Sequence, residues 1–386
     1  MTIMSEYPCP LAEVQEGLAR VKVCELSKLA NARGYVDPSW APVFYNPRMK
    51  CSRDISSAAV GAFASALGRG LRVLDAFCAS GVRGIRYALE NEGVTHVHLN
   101  DIDPLCSRLA MENANFNKLT DKVQVSNTDA SRIFAEYGRY DVVDVDPFGS
   151  PAKFVDPALR AVANGGMLCV TATDLSALEG KYPGSCLRKY FSNVTFTEFS
   201  REQALRVLIY FVAREASKLG FEIEPLLSYY MLHHVRVCVR VRRRKVGYSW
   251  YASNIGYVAY NPSTLERYAI GLLEASSGDV PQGSVLSGPL WLGKLADSEF
   301  IERTLSLYSA RVEAMGYCPQ GKRLLELLRA ELPLPPFYFV TSAIASRYKI
   351  PSEAPVKLLI EKLQEIGYQA SRTHFDPKGF RTSAPL

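Results

Sequence analysis

Short apolar runs alternate with amphipathic stretches between residues 71 and 174. The runs are almost continuously hydrophobic, which is typical of strands that are buried on both faces of a parallel sheet. The predicted strands are residues 71–77, 96–100, 123–126, 140–145 and 166–172. Helices are predicted between them at about residues 82–90, 104–117 and 152–163. This alternation predicts an α/β fold with helices on both faces of a parallel sheet.

The remaining periodic segments extend this sheet and add a second domain. A strand or hairpin is predicted at residues 15–24, a long helix at 202–219, and one or two strands with an antiparallel edge at 223–241. Residues 246–293 show weak periodicity, so their elements are not predicted. After residue 297 four helices are predicted, at 299–314, 321–330, 339–348 and 354–366. The pattern predicts a first domain at residues 1–297 and a smaller, mostly helical domain at 298–386.

Composition narrows the class of protein. Of the 386 residues, 48% are hydrophobic and 22% are charged, which excludes disordered, collagen-like and coiled-coil chains. The longest strongly apolar run, residues 207–213, is too short to span a membrane, and the N-terminus lacks the pattern of a secretory signal. We therefore expect a cytoplasmic protein with no membrane partner.

The net charge and the cysteine content say less about function than the composition does. A net charge of +6 permits a polyanionic partner without establishing one. The nine cysteines are scattered singly and form no Cys-x-x-Cys motif, so neither a disulfide framework nor a zinc site is predicted. We expect most of them to be small buried hydrophobic residues.

A turn rich in small residues follows the first predicted strand of the sheet. Asp75 ends this strand, and Gly81 lies in the turn before the next helix. The first glycine of a dinucleotide-binding motif is missing, and a carboxylate there would repel phosphates. Asp75 can instead order a water or a loop amide near the α-ammonium group of a ligand. The alternative is that Asp75 only caps the turn.

Two more acids follow the next two strands. Asp101 comes 20 residues after Gly81, where a carboxylate can accept hydrogen bonds from both ribose hydroxyls. Asp129 ends the third strand, where it can accept a hydrogen bond from an adenine amino group. Each acid alone is more typical of a turn. Because the carboxyl ends of neighbouring parallel strands line one crevice, the three together predict an adenosine-type ligand.

The fourth strand ends in Asp146-Pro147-Phe148. The exocyclic amine of a nucleobase is a poor nucleophile, because its lone pair is delocalised into the ring. A fixed carboxylate can bind the N–H groups and stabilise the positive charge that develops on attack, and an aromatic ring can stack on the base. Beside an adenosine site, this motif favours methylation of such an amine. The alternative is a strand-to-helix turn capped by Asp146, with Phe148 in the core.

The residues alone leave two alternative roles for each of two basic segments. Residues 41–55 crowd Phe44 and Arg53 with other aromatic and basic side chains, and they form either a lid over the crevice or a loop packed on the sheet. In residues 235–245, valines alternate with Arg236, Arg240 and Arg242. A charged edge strand is favoured there over a stripe that tracks phosphates.

Several strings along the chain resemble the tRNA (guanine-N2)-dimethyltransferase family. They are residues 43–49, 75–86, 100–101, 146–151, 186–190, 288–293, 372–376 and 382–385. Members of this family methylate the exocyclic amine of guanine 26 in tRNA with S-adenosylmethionine, giving N2-methyl- and N2,N2-dimethylguanosine. The resemblance implies a class I (Rossmann-like) methyltransferase domain and a C-terminal domain that helps to hold tRNA.

The resemblance also implies roles for individual residues. S-adenosylmethionine would be bound by Arg53, Arg83, Asp101, Asp129 and Ala130. Asp146 would be the catalytic acid–base residue, and Phe44 and Phe148 would flank the flipped guanine, which favours the lid for residues 41–55. Some relatives have four zinc-binding cysteines, but here Cys238 is the only cysteine between Cys186 and Cys318, so no metal is expected.

The C-terminal residues are expected to hold tRNA. Arg372, Lys378 and Arg381 lie among Gly, Pro, Ser and Thr, which predicts a loop-rich surface whose cations contact tRNA phosphates. No protein partner is implied. The rival functions are a nicotinamide-dependent oxidoreductase, disfavoured by the missing glycine, and a non-catalytic RNA-binding protein, disfavoured by the intact Asp146. The sequence leaves open the preferred tRNA, the final number of methyl groups, modification of position 27 and the oligomeric state.

Overall fold

The computed structural model of the protein describes residues 7–31, 33–136, 138–278 and 280–385. These residues form two compact units, each assembled from separate stretches of the chain. The first unit contains the residues up to Asp146 together with Pro157–Leu168 and Arg303–Lys322. The second contains Pro147–Asp156, Cys169–Glu302 and the residues from Arg323 onward. The domain boundary placed after residue 297 stays a prediction.

A hairpin and a long helix precede the sheet. The antiparallel strands β1 (Leu11–Glu16) and β2 (Ala19–Cys24) confirm the predicted hairpin, with a turn at Gly17, whose φ is +56°. Helix α1 (Lys50–Leu67) begins inside the segment for which a lid or a loop was predicted. Its buried positions are mostly Ser, Ala and Gly, so the sequence lacks the strong apolar periodicity that predicts a helix.

Seven strands form one sheet in the order β5-β4-β3-β6-β7-β9-β8. They are β3 (Leu71–Asp75), β4 (Val94–Asp101), β5 (Val123–Asn127), β6 (Tyr140–Val145), β7 (Val162–Ala172), β8 (Glu222–Met231) and β9 (His234–Arg242). The pairs β3–β4, β3–β6 and β4–β5 are parallel, and β8–β9 is antiparallel. The carboxyl ends of β3, β4, β5 and β6 therefore meet at one edge.

The helices that connect these strands are α2 (Val82–Glu90), α3 (Pro104–Phe116), α4 (Ala130–Glu136), α5 (Ala152–Ala161), α6 (Leu175–Leu178), α7 (Pro183–Tyr190) and α8 (Ser200–Lys218). Helices α2, α3, α5 and α8 lie close to their predicted bounds, whereas α4, α6 and α7 were not predicted. Local sequence explains where they begin. Gly81 precedes α2 in a left-handed conformation, and the Asp103 side chain accepts a hydrogen bond from the Leu105 amide at the start of α3.

The rest of the chain adds two small sheets and several helices. Residues 246–293 form α9 (Tyr248–Asn254), β10 (Ile255–Tyr260), β11 (Arg267–Gly271), α10 (Glu274–Ser277) and β12 (Val285–Trp291), with sheet order β11-β10-β12. Four helices follow, as predicted: α11 (Ser298–Ala314), α12 (Pro319–Glu331), α13 (Thr341–Arg347) and α14 (Val356–Glu365). The three-stranded sheet β13 (Phe339–Val340), β14 (Ala370–Arg372) and β15 (Gly379–Thr382) was not predicted.

The prediction of a charged edge strand at residues 235–245 is wrong. Strand β9 lies between β7 and β8, so it is an interior strand. Arg236 is only 1% exposed and donates a hydrogen bond to the Thr171 hydroxyl at 2.7 Å. Arg240 and Arg242 lie near the carboxylate of Glu224, at 3.6 and 3.0 Å. Each of these three arginines therefore has a polar partner within the protein.

The cysteines also differ from expectation. Six of the nine form disulfides, pairing Cys9 with Cys24, Cys51 with Cys318 and Cys169 with Cys238. Cys78, Cys106 and Cys186 are buried thiols, as predicted. The absence of Cys-x-x-Cys motifs was a poor guide, because the paired cysteines are 15, 267 and 69 residues apart in the chain.

Candidate active site

The turn after β3 is built around the buried carboxylate of Asp75. Its Oδ2 accepts a hydrogen bond at 3.1 Å from the amide of Gly84, which lies in the first turn of α2, so Asp75 makes the capping contact of the alternative interpretation. Burial, and next the negative charge of Asp144, raise the pKa of Asp75 to about 7. Gly81 has φ +78°, and a Cβ there would lie 3.1 Å from the Ala110 Cβ. The turn therefore needs glycine to pack against α3.

Asp101 connects this turn to the end of β4. Its Oδ2 accepts a hydrogen bond from the Ala79 amide at 2.9 Å, and its Oδ1 accepts one from the Asp103 amide at 3.0 Å. Burial raises the pKa of this carboxyl group above its ordinary value. The structure thus brings Asp101 next to the turn that follows β3, as the sequence predicted.

The end of β5 joins the same edge. The Asn100 side chain donates a hydrogen bond to the Thr128 carbonyl at 3.0 Å, which ties the ends of β4 and β5 together. Asp129 is exposed and accepts a hydrogen bond from the Ser131 amide at 2.8 Å. Ala130 is buried at the start of α4. The acids of three successive strand ends are therefore gathered at one edge of the sheet.

Asp146 follows β6 at this edge and is held by Arg83. One guanidinium nitrogen of Arg83 donates to Asp146 Oδ2, and the other donates to Ser56 Oγ at 2.9 Å and lies 4.0 Å from Asp144 Oδ2. The Asp146 side chain is 21% exposed, whereas that of Arg83 is 8% exposed. A buried cation thus fixes a carboxylate that still reaches solvent. Sequence reasoning gave Arg83 only a cofactor role and missed this pairing.

Arg53 is held from the N-terminal hairpin. Its Nε donates to Glu16 Oε2 at 2.8 Å, and its Nη2 donates to the Asn46 carbonyl at 3.0 Å. The Tyr45 hydroxyl donates to the same Glu16 carboxylate at 2.7 Å. Burial opposes ionisation of Glu16, but the hydrogen bonds and charge of Arg53 hold its pKa below the ordinary value. Glu16 therefore links Arg53 to the segment that carries the half-buried Phe44.

Phe148 does not lie in the core. Its side chain is 71% exposed, which rules out the alternative of a buried turn residue. The backbone that follows is fixed by Thr173, whose hydroxyl accepts a hydrogen bond from the Gly149 amide at 2.8 Å. An exposed ring on a fixed backbone is available for stacking.

The predicted surface of C-terminal cations is wrong for Arg381. This residue lies in β15, is 3% exposed, and pairs with Glu331 at 2.7 Å and Glu202 at 2.9 Å. Two buried carboxylates require a buried cation, so Arg381 is not available to a phosphate. Lys378 is exposed and pairs with Glu353 at 2.7 Å, and Arg372 is half-buried in β14.

Within the described ranges, no group of three or more His, Cys, Asp or Glu side chains is placed to hold a metal ion. No described helix is long and apolar enough to cross a membrane.

The carboxylates at this edge are hydrogen-bond acceptors of the kind that ribose hydroxyls and an adenine amino group need. Asp101 and Asp129 keep polar atoms within reach of solvent beside a turn that ends in the small residues Ala79, Ser80 and Gly81, and Asp146 directly follows β6. An α/β sheet with this arrangement is typical of class I methyltransferases.

Comparison with known proteins agrees with this class. Residues 17–386 match the model of the N2,N2-dimethylguanosine tRNA methyltransferase family. The chain is 37% identical to the tRNA (guanine(26)-N(2))-dimethyltransferase of Thermococcus kodakarensis, over 97% of both chains. It is 34% identical to that of Methanobrevibacter smithii, over 99% of this chain and 96% of the relative. The chain therefore belongs to the N2,N2-dimethylguanosine tRNA methyltransferase family.

A solved structure supports the fold at full length. Trm1 from Pyrococcus horikoshii in complex with S-adenosyl-L-methionine superposes with a TM-score of 0.83 at 34% identity and covers 97% of each chain. The predicted fold class, a Rossmann-like methyltransferase with a C-terminal domain, is confirmed.

Proposed function

We propose that this protein transfers methyl groups from S-adenosylmethionine to the exocyclic N2 amine of guanine 26 in tRNA, giving N2-methyl- and N2,N2-dimethylguanosine. Full-length similarity to enzymes named for this reaction supports the substrate and the cofactor. The observation that carries the proposal is the Asp146 carboxylate, which is 21% exposed at the sheet edge and fixed by the buried Arg83.

The cofactor supplies an electrophilic methyl group when it is bound. Asp101 would accept hydrogen bonds from its ribose hydroxyls, and Asp129 would accept one from the adenine amino group. Asp75 acts through the Gly84 amide and keeps the turn in shape. Arg53, Arg83 and Ala130 complete the proposed binding set, with Arg53 oriented by Glu16.

Asp146 acts on the guanine amine. Its carboxylate accepts a hydrogen bond from N2–H, which fixes the direction of the nitrogen lone pair and favours the positive charge that develops on attack. Arg83 holds the carboxylate in one position, so little reorganisation is needed in the transition state. The amine proton is then taken up or relayed by Asp146.

The target base must leave the tRNA stack, which costs a few kcal/mol. Phe148, exposed beside Asp146 in the chain, offers a ring on which the flipped guanine stacks. Phe44 is the proposed second ring. Residues 298–386 remain the proposed tRNA-binding domain, and Arg372 and Lys378 are its proposed phosphate contacts.

Replacement of Asp146 by Asn tests the proposal, because it keeps the shape and removes the charge. We expect Asp146→Asn to lose single-turnover methylation of a tRNA transcript while it still binds S-adenosylmethionine. Asp121→Asn, at an exposed position outside the site, is the matched control. Methylation by Asp146→Asn at the rate of the control would show that Asp146 is only a turn residue.

A further inference from the structure

Residues 186–190 resemble the family but have no role in the proposed mechanism. They end in Tyr190, a fully buried residue at the end of α7. The Tyr190 hydroxyl nevertheless bonds to Ser150, which lies two residues after Phe148 in the chain. A buried tyrosine that reaches into the Asp146–Pro151 motif suggests a link between this string and the substrate base.

We propose that Tyr190 and Asp174 are positioning residues that hold the Gly149–Ser150 backbone and so set the orientation of the Phe148 ring against the flipped guanine. This inference rests on the proposed function and assigns these residues a part in it. It concerns orientation and not the chemistry of methyl transfer itself.

The hydrogen bonds at Tyr190 form a chain with one direction. The Tyr190 hydroxyl donates to Asp174 Oδ1 at 2.6 Å, so its oxygen accepts from the Ser150 hydroxyl at 2.7 Å. Lys189 donates to the other oxygen of Asp174, Oδ2, at 2.9 Å, which holds the carboxylate from its far side. Burial and the charge of Asp174 raise the pKa of Tyr190, so its hydroxyl stays protonated and remains a donor.

A second clamp acts on the preceding residue. The Gly149 amide donates to the Thr173 hydroxyl at 2.8 Å, and the Thr173 amide donates to the Gly149 carbonyl at 3.0 Å. Gly149 has φ +74°, a conformation that other residues rarely adopt. Thr173 and Asp174 are consecutive, so one short segment after β7 fixes both Gly149 and, through Tyr190, Ser150.

Phe148 is 71% exposed and directly precedes the two residues that the clamp holds. A shift of the Gly149–Ser150 backbone would therefore move the Phe148 ring. By contrast, the Tyr190 ring packs edge-on against Phe211, with centroids 5.4 Å apart, and Tyr190→Phe would retain that packing. The variant therefore removes the hydroxyl bonds to Ser150 and Asp174 with little change in the core.

Tyr260→Phe is the matched control. Tyr260 is also buried and its hydroxyl donates to a carboxylate, Glu198, at 2.7 Å, but it makes no described hydrogen bond to residues 147–151. Both variants lose one buried hydroxyl–carboxylate bond, and Tyr190→Phe also loses the bond to Ser150, so its loss of stability should be similar or slightly larger. Only Tyr190→Phe should change catalysis.

The experiment compares single-turnover methylation at saturating tRNA and cofactor. We expect Tyr190→Phe to be about 10- to 100-fold slower than Tyr260→Phe, with unchanged affinity for S-adenosylmethionine. With 2-aminopurine at position 26 of the tRNA, Tyr190→Phe should also change the fluorescence of the bound base, because its stacking on Phe148 is altered. Equal rates and equal fluorescence in the two variants would overturn the inference.

A double-mutant cycle separates orientation from a general structural effect. If Tyr190 acts through Phe148, then Tyr190→Phe should cost little in a Phe148→Ala background, whereas a structural defect would cost the same in both. Ser150→Ala removes the other end of the bond and carries the same test if Tyr190→Phe does not fold. Absence of methylation by the wild-type protein would refute the proposed function, whereas additive losses in the cycle would refute only this inference.

Discussion

Replacement of Glu16 should show how much more a buried ion pair contributes to stability than an exposed one. Its carboxylate is 2% exposed and binds Arg53 at 2.8 Å, Tyr45 at 2.7 Å and Arg86 at 3.3 Å. Glu16→Gln keeps the shape and removes the charge. Arg86 retains the carboxylate of Glu90 at 2.8 Å, but Glu16 is the only described carboxylate that pairs with Arg53.

The expected loss follows from this arrangement. Removal of one partner of a buried pair leaves an uncompensated charge and costs about 3–5 kcal/mol. The Gln amide oxygen can still accept one hydrogen bond, so we expect a loss of about 3 kcal/mol in the free energy of unfolding. Because the pKa of Glu16 is lowered in the folded state, this stabilisation is present above its ordinary pKa of 4.5 and is lost as the pH falls below it.

Urea unfolding at neutral pH measures this loss. Glu13→Gln is the control, since Glu13 pairs with Arg20 where the side chains are 46% and 57% exposed. We expect the control to lose less than about 1 kcal/mol. Equal losses in the two variants, or a difference that does not shrink in acid, would show that the buried charge of Glu16 does not stabilise the fold.

The remaining predictions concern the cofactor, tRNA and acid stability. Asp101→Asn should weaken S-adenosylmethionine binding by about 2 kcal/mol in calorimetry, and unchanged affinity would remove Asp101 from the site. Replacement of Arg372 and Lys378 by Ala should flatten the dependence of log tRNA affinity on log salt by about 0.7–0.9 per phosphate contact, and an unaltered slope in a folded variant would mean that these cations are only solvated. Burial of Glu331 is outweighed by His374 and Arg381, which lower its pKa from 4.5 to about 2. The wild-type protein should therefore lose about 3 kcal/mol of stability between pH 4.5 and 2, and Glu331→Gln should abolish this loss. A variant with the wild-type acid profile would contradict this assignment.

The parts of the fold that the sequence predicted are those that local pattern determines. Helix α2 has its predicted bounds, 82–90, because Gly81 and the preceding small residues mark its start. The acids Asp75, Asp101 and Asp129 fell at strand ends because buried parallel strands are short apolar runs with polar residues at their ends.

The parts that it missed depend on partners distant in the chain. The sequence around Arg381 predicts a surface cation, but Arg381 is buried and pairs with Glu202 and Glu331, which lie 179 and 50 residues before it in the chain. Glu16 lies in a hairpin with no motif of its own, and only the folded structure shows that it binds Arg53. Side chains of this kind carry no local signal, because their role is set by what the rest of the chain places against them.

The most direct test of the proposed function is mass spectrometry of nucleosides from digested tRNA after incubation with the protein and S-adenosylmethionine. We expect N2-methylguanosine and N2,N2-dimethylguanosine in a transcript with guanine at position 26, and neither in the same transcript with adenine at that position. A product methylated on another atom, or N2 methylation that survives the change at position 26, would contradict it.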